Sequence, residues 1–243
     1  MKSLLISGIS GKVGSYLLKL AKNYSFNVVC GVDRKTFSDA DCPVYKTFSE
    51  VKENVDVVID FSSPALTEQA IEFAESRKCP ILSGTTALLI HQKTKLKKLS
   101  EKIPVCWSSN FSKTMIHFLQ SAFILKQTLN DFDTILIEEH NKNKKDSPSG
   151  TANYLAEQLS IKQIHALRGG NIAGIHKIVF LGDGEEVELI HRAYDKSVFA
   201  KGALLCATNL LSKEKGFYTV SNLLIDKNQI GRASCRERVS ACV

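Results

Sequence analysis

The chain has 243 residues, a formal net charge of +7, 44% hydrophobic and 23% charged residues, the balance of an ordinary globular protein rather than a disordered or low-complexity one. No apolar run approaches the roughly 18 residues of a membrane span, and the seven cysteines, odd in number, widely spaced and without a C-x-x-C, argue against a disulfide framework and a zinc site. The basic excess would permit nucleic-acid binding, but the lysines are dispersed and aromatic residues do not interleave with them as a single-strand-binding surface requires, so no nucleic-acid, membrane or metal partner is expected.

The N-terminus, "MKSLLISGIS", holds a short apolar run that leads into glycines. A signal peptide needs a longer apolar stretch and a cleavage site, so this segment reads as a first strand and the protein as cytoplasmic. "GISGKVGSY" then places Gly8, Gly11 and Gly14 between that strand and a helix with Val13, Leu17, Leu18 and Ala21 at helical spacing. A backbone that must approach a pyrophosphate at a helix N-terminus needs such glycines. The G-x-x-G-x-x-G spacing departs from the usual fingerprint; its context supports nucleotide binding, because Asp33 ends the next apolar run, "FNVVCGVD", about 19 positions beyond Gly14. Asp33 suits an adenosine ribose and favours NAD; Arg34 and Lys35 suit a 2′-phosphate and favour NADP, so the preference stays open.

"VDVVIDFS" is a third strand, "PALTEQAIEFAESRK" a helix, "CPILSGTT" a fourth strand, "KTKLKK" a solvated helix face and "IPVCWSSNF" a fifth strand. Apolar runs alternating with amphipathic helices predict a parallel sheet covered on both faces, an α/β fold. Small and hydroxyl residues gather at three strand ends, "DFSSP", "SGTT" and "SSNF", where ligands bind in open α/β sheets. They suit a nicotinamide ribose and carboxamide. Cys30 and Cys206 read as small core residues.

After about Ser112 the pattern changes to a helix ("KTMIHFLQSAFILKQTL"), a strand ("DTILIEEH"), a helix ("SGTANYLAEQLS"), two strands joined by Gly-Asp-Gly, and a helix ("SVFAKGALLCATNLLS"). This order predicts a second, α+β domain with an open sheet. The final "GRASCRERVSACV" lacks periodicity and is read as a non-native or disordered tail.

The densest chemistry lies in "EEHNKNKKDSPSGTA", Glu138 to Ala152. Pro148 stiffens the entry to a helix, Gly150 lets a ligand approach, and Thr151 offers a hydroxyl beside the free N–H groups of the helix start, a site for a carboxylate. Lys144 adds a point charge, whereas Lys142 and Lys145 are assigned to the surrounding field. His140 ends a strand four residues before Lys144, and a histidine titrating near neutral pH suits proton transfer. The other five histidines are read as structural. Glu138 and Glu139 receive no acid–base role; one is expected to orient His140 or pair with a lysine. Arg168 in "RGG" is either a second anion contact or a loop stiffener.

Taken in order, "GISGKVG", "VDR", "DFSSP", "GTT", "SSNFS", "EEHNKNKKDSPSGTA", "RGG" and "FAKGAL" resemble the 4-hydroxy-tetrahydrodipicolinate reductase (dihydrodipicolinate reductase) family of lysine and diaminopimelate biosynthesis, over nearly the whole chain to about Leu224. The resemblance implies an N-terminal Rossmann-type domain (1–111, with 213–230 returning to it), a substrate-binding and oligomerisation domain (112–212), a tail (231–243), a homotetramer, and reduction of a small dicarboxylate substrate with NADH or NADPH. It implies His140 as catalytic acid–base and Lys144 as proton donor, with Gly150 and Thr151 on a substrate carboxylate. Cofactor contacts carried over are Gly8, Ile9, Ser10, Gly11, Lys12 and Val13, then Asp33 and Arg34, then Gly84, Thr85 and Thr86, and finally Ser108, Ser109, Asn110 and Phe111. Two positions depart from the family. Asn141 stands where a second, substrate-holding histidine is usual, and it can hydrogen-bond but carry no charge, so altered substrate binding with chemistry retained is expected. Ala87 stands where the family has glycine after "GTT". Other classes that fit the sequence are another Rossmann dehydrogenase of an imino or amino acid, and a non-catalytic nucleotide-binding regulator, which would need neither His140 nor Lys144.

Overall fold

The computed structural model describes residues 1–224; the expected tail 231–243 and the end of the returning segment, 225–230, lie outside the described residues. The first half alternates β1 (Lys2–Ser7), α1 (Lys12–Leu20), β2 (Phe26–Val32), β3 (Val44–Tyr45), β4 (Val57–Asp60), α2 (Pro64–Arg77), β5 (Ile81–Ser83), α3 (Ile90–Leu99) and β6 (Pro104–Trp107). The second half runs α4 (Lys113–Thr128), β7 (Asp133–His140), α5 (Gly150–Leu159), β8 (Gln163–Arg168), β9 (Gly174–Leu181), β10 (Glu186–Ala193), α6 (Ser197–Leu210), β11 (Gly216–Tyr218) and α7 (Val220–Leu224).

Seven strands form one sheet in the order β11-β6-β5-β4-β1-β2-β3, every pairing parallel. The chain proceeds outward from β1 through β2 to β3, then returns to the other side of β1 as β4, so the strand order reverses between β1 and β4. The crevice beyond their carboxyl ends is where ligands sit in such sheets. Alternation along β1 sends Leu4 and Ile6 to one face and Leu5 to the other. α2 and α3 cover Leu5, Val58 and Ile81, and α1 covers Leu4 and Ile6. The parallel sheet buried on both faces is therefore the one its uninterrupted apolar strands require.

The second sheet is mixed, in the order β10-β9-β7-β8, with β7 parallel to β8 and antiparallel to β9. α4 and α5 cover one face through Met115, Phe118, Leu155 and Leu159 packed on Leu136, Ile178 and Phe180. Several elements depart from the sequence reading: β3, β8, β11 and α7 have no counterpart in it, and α6 packs elsewhere than expected. β8 was not expected as a strand. It is an edge strand whose "QIHALR" alternates between exposed and half-buried positions without a β-branched run. α6, which sequence order places with the second domain, buries Ala200, Ala203, Leu204, Ala207 and Leu210 in the core shared with β1 and α1. Its apolar stripe fits either core; tertiary packing selects the first, and β11 then adds to the first sheet beside β6.

Cys30 and Cys206 are fully buried, and the five described cysteines are free thiols. Among the described residues, no helix is long and apolar enough to cross a membrane, and no group of three or more His, Cys, Asp or Glu side chains is placed to hold a metal ion.

Candidate active site

The crevice between β1 and β4 is shaped by glycine. Gly8 has φ +79°, and a Cβ there would lie 2.4 Å from the Phe61 carbonyl oxygen. A Cβ on Gly14 would lie 2.1 Å from the Gly8 oxygen, so neither position admits a side chain without moving backbone. α1 starts at Lys12 with no side-chain cap and no acidic residue in its first turn. Its orphan N–H groups are thus available to an anion. Asp33 Oδ2 accepts bonds from the Ser10 amide (3.0 Å) and hydroxyl (2.7 Å), and Oδ1 accepts one from the Lys35 amide (3.0 Å). Burial pushes this carboxyl upward, but the bonds from Lys35 and Ser10 outweigh it and hold it below the usual carboxylate range. Asp33 thereby stays ionised and fixes the glycine loop, while Arg34 and Lys35 are exposed. Ile9 and Phe111 are buried in the core, Phe111 edge-on against Phe61, so these two positions offer backbone rather than side chain to the crevice.

At the ends of β4 and β5, hydroxyls converge inward on buried Asp60: Thr67 Oγ1 donates at 2.7 Å, Ser83 Oγ at 2.8 Å and Thr85 Oγ1 at 2.8 Å. The Thr85 hydroxyl is therefore part of a structural knot and does not point to a ligand. Gly84 packs against the Phe61 ring, and Thr86 is exposed. Ala87 follows with φ +60°, a conformation that costs an L-residue about 1–2 kcal/mol against about 0.5–1 kcal/mol of extra chain entropy lost by glycine. Ala87→Gly is expected to stabilise the chain by about 0.5–1 kcal/mol and raise Tm by roughly 1–4 °C, measured by calorimetry. The loop after β6 folds on itself through Ser108 and Asn110, and Asn110 Nδ2 donates to Thr151 Oγ1 at 3.2 Å. That bond joins the crevice of the first sheet to the start of α5.

Period-2 alternation along β7 puts Glu138 and His140 on the same inward face and Glu139 on the other. Glu138 has no exposed surface and accepts from Arg168 Nη2 (2.6 Å), the Ser149 amide (3.0 Å) and His140 Nδ1. Burial raises its pKa, and these partners, Arg168 first, more than reverse the effect, so the carboxylate is held below its usual range. An ionised carboxylate can only accept, so Nδ1 of His140 carries the proton and Nε2 is the nitrogen left to react. Gly174 on the facing strand keeps that nitrogen clear, since a Cβ there would lie 3.0 Å from Nε2. Burial lowers the His140 pKa, Glu138 pulls it back up, and Lys144 and Arg168 lower it further, with a net downward shift.

The loop from Asn141 to Ser149 is stitched to the segment after β8. The Asn141 amide donates to the Ile172 carbonyl (2.9 Å), the Gly169 amide to the His140 carbonyl (3.1 Å), and Arg168 Nη2 to the Asp146 carbonyl (2.7 Å). Arg168 is thus the clasp between β7, β8 and the loop. The Asn141 side-chain oxygen accepts from the Asn143 amide at 3.1 Å, which leaves its NH₂ as the available group. Lys144 is half-buried and pairs with Asp146 (2.8 Å), whereas Lys142 and Lys145 are exposed. Ser149 caps α5 by accepting from the Ala152 amide at 3.1 Å, and the Gly150 amide donates to Asp146 Oδ2 at 3.3 Å. Lys196, just before α6, escaped the sequence reading. Burial of its ammonium, then Lys12 and Lys144, hold it below the usual lysine range. Lys12 at the start of α1, Lys144 in the β7–α5 loop and Lys196 just before α6 are thus close enough for their charges to be felt by one another.

His176, one of the histidines read as structural, is buried in β9 beside His140. It faces Glu138 across the β7–β9 ladder, stacks edge-on against His140 at 5.3 Å, and neighbours His191 at 6.4 Å. Its ring nitrogens are buried without a hydrogen-bond partner among the described residues, and burial, reinforced by His140 and His191, lowers its pKa to about 3. A histidine held neutral in the folded chain contributes its full stability above the unfolded pKa of about 6.5, and that stability is lost as pH falls toward the folded value. Between pH 7 and pH 5 this group alone should remove roughly 2 kcal/mol. His176→Leu is expected to lose that much less over the same interval in urea titrations.

Residues 2–111 match the family model described as dihydrodipicolinate reductase, N-terminus, and residues 114–224 the model described as dihydrodipicolinate reductase, C-terminus. Among curated relatives, the chain is 36% identical to the 4-hydroxy-tetrahydrodipicolinate reductase of Caldanaerobacter subterraneus subsp. tengcongensis over 92% of this chain and 98% of that protein. It is 31% identical to the enzyme of the same name from Clostridium novyi, over 94% and 100%. Among solved structures, the dipicolinate-bound dihydrodipicolinate reductase from Paenisporosarcina sp. TG-14 superposes with a TM-score of 0.77 at 21% identity, covering 93% of this chain and all (100%) of that one.

Proposed function

This chain belongs to the dihydrodipicolinate reductase family, and from that premise we propose how its residues divide the reaction. The protein is an NAD(P)H-dependent oxidoreductase that reduces 4-hydroxy-tetrahydrodipicolinate to tetrahydrodipicolinate in lysine and diaminopimelate biosynthesis. One hydride and one proton enter and the 4-hydroxyl leaves as water. In our reading the pyrophosphate of the cofactor lies on the segment Gly8–Val13, a placement supported by the uncapped start of α1 and by the space that a Cβ at Gly8 or Gly14 would fill. Asp33 and Arg34 serve the adenosine end and allow either NADH or NADPH. The backbone of Gly84–Thr86 and of Ser108–Phe111 serves the nicotinamide end. Bound there, the reduced nicotinamide supplies the hydride.

The chain's own part is to hold the dicarboxylate and deliver the proton. Gly150 and Thr151 at the start of α5 take one carboxylate, assisted by Lys144 and the side-chain NH₂ of Asn141. Lys144 is the proton donor and His140 the acid–base, exchanging its proton at Nε2. The observation that carries this reading is the buried Glu138, which fixes the tautomer and aim of His140 while clasping, through the Ser149 amide and Arg168, the loop that bears Lys144. The field of Lys12, Lys144 and Lys196 favours an anionic substrate beside an anionic cofactor. We further propose a homotetramer. The face of the second sheet opposite α4 and α5 supports it, since among the described residues no helix covers it and Leu167 there is 53% exposed; sedimentation of a stable monomer would contradict it. The reaction is tested by condensing pyruvate with aspartate semialdehyde through the upstream synthase and following oxidation of NADH and of NADPH. Protein-dependent oxidation is expected with both, and none with either would refute the reading.

A further inference from the structure

Asp146 occupies a singular position in this cleft. Its Oδ1 lies 2.8 Å from Lys144 Nζ, and its Oδ2 accepts from the Gly150 amide at 3.3 Å. These are two of the donors assigned above to a substrate carboxylate, and Asp146 brings a carboxylate of its own to both. The sequence dictates the reach. Two residues after Lys144 and four before Gly150, an aspartate at the entry of α5 is held where its short side chain spans from one donor to the other. Its backbone is pinned separately, since the carbonyl accepts from Arg168 Nη2 at 2.7 Å. The side chain is 56% exposed. The carboxylate can therefore leave by side-chain rotation into water while Arg168 keeps the loop in place.

We propose that Asp146 is an internal stand-in for the substrate's carboxylate, holding Lys144 and the Gly150 amide in register and yielding both when the dicarboxylate binds. This rests on the substrate reading given above and adds to it an intramolecular competitor. The stand-in keeps two donors partnered in the free protein, which preorganises the loop, and it weakens ligand affinity by the strength of the contacts that must be given up. An exposed ion pair with one long hydrogen bond is weak, so the competition corresponds to about 3–10-fold in affinity. A purely structural role, in which Asp146 stays in place and buttresses the occupied site, has the opposite sign: removing it would weaken binding.

The test is calorimetric titration of dipicolinate, an unreduced aromatic dicarboxylate, into the full chain with reduced cofactor present, for wild type, Asp146→Asn, Asp146→Ala and Glu139→Gln. The stand-in predicts about 3–10-fold tighter dipicolinate binding by both Asp146 variants with cofactor affinity unchanged, and no more than about twofold for Glu139→Gln, which removes a charge from the other face of β7 without freeing either donor. Equal or weaker binding by the Asp146 variants overturns the proposal. Tightening of the same size in Glu139→Gln also overturns it, because the effect would then be general field. A wild-type chain that binds cofactor but no dipicolinate overturns instead the substrate reading on which the proposal stands.

Discussion

His140→Ala is expected to lower the rate of tetrahydrodipicolinate formation by about 10²–10⁴-fold with cofactor affinity within a factor of two, the size of loss usual for a positioned acid–base group. His140 lies 8% exposed at the end of β7, with Nδ1 engaged by Glu138 and Nε2 kept clear by Gly174. Removing the ring deletes the proton-exchanging nitrogen and leaves the glycine loop untouched. Lys144→Ala should produce a loss of comparable order, because Lys144 shares the cleft and is half-buried. Lys142→Ala should change little, because Lys142 is exposed. Steady-state rates of the three variants separate the working pair from the background charge. Equal small effects would overturn the assignment of His140 and Lys144 as the working pair.

Glu138→Gln is expected to be the most destabilising single-atom-scale change in the site and to lower turnover by about 10²-fold or more. Glu138 has no exposed surface and holds Arg168, whose Nε is already buried without a partner. Neutralising the carboxylate leaves the part-buried Arg168 without its counter-charge while its bonds to the Leu167 and Asp146 carbonyls remain; breaking a buried pair costs at most about 3–5 kcal/mol, a drop of up to roughly 6–20 °C in Tm. The catalytic loss has a separate cause. A glutamine amide can present N–H to Nδ1, which moves the imidazole proton to Nε2 and gives the wrong tautomer, as when the orienting carboxylate of a Ser-His-Asp triad is made an amide. Melting curves and turnover at a temperature well below the variant's midpoint distinguish the two effects.

The parallel sheet and its glycine loop were legible because each apolar strand is continuous and each motif sits at a strand end. The β7–α5 loop was legible because His140, Lys144 and Gly150 lie close in sequence. What escaped depends on tertiary pairing. Glu138 and Arg168 meet only because β7 and β8 run side by side in parallel, and β8 carries too little β-branched character to announce itself. Hydroxyl residues at the strand ends suit a nicotinamide, yet Asp60, 25 residues from Thr85, draws that residue's hydroxyl inward. α6 carries an apolar stripe that fits either core, and nothing local selects the first. Lys196 entered the cleft with α6 and was hidden for the same reason.

If hydride donor and dicarboxylate bind side by side, with His140 and Lys144 supplying the proton as proposed, the hydride passes directly from cofactor to product. The direct measurement supplies reduced nicotinamide cofactor deuterated at the transferring C4 position and examines the product by mass spectrometry. One deuterium from the cofactor is expected in tetrahydrodipicolinate, together with one further proton exchangeable with solvent during turnover. Product free of cofactor-derived deuterium, formed at the wild-type rate, would contradict it.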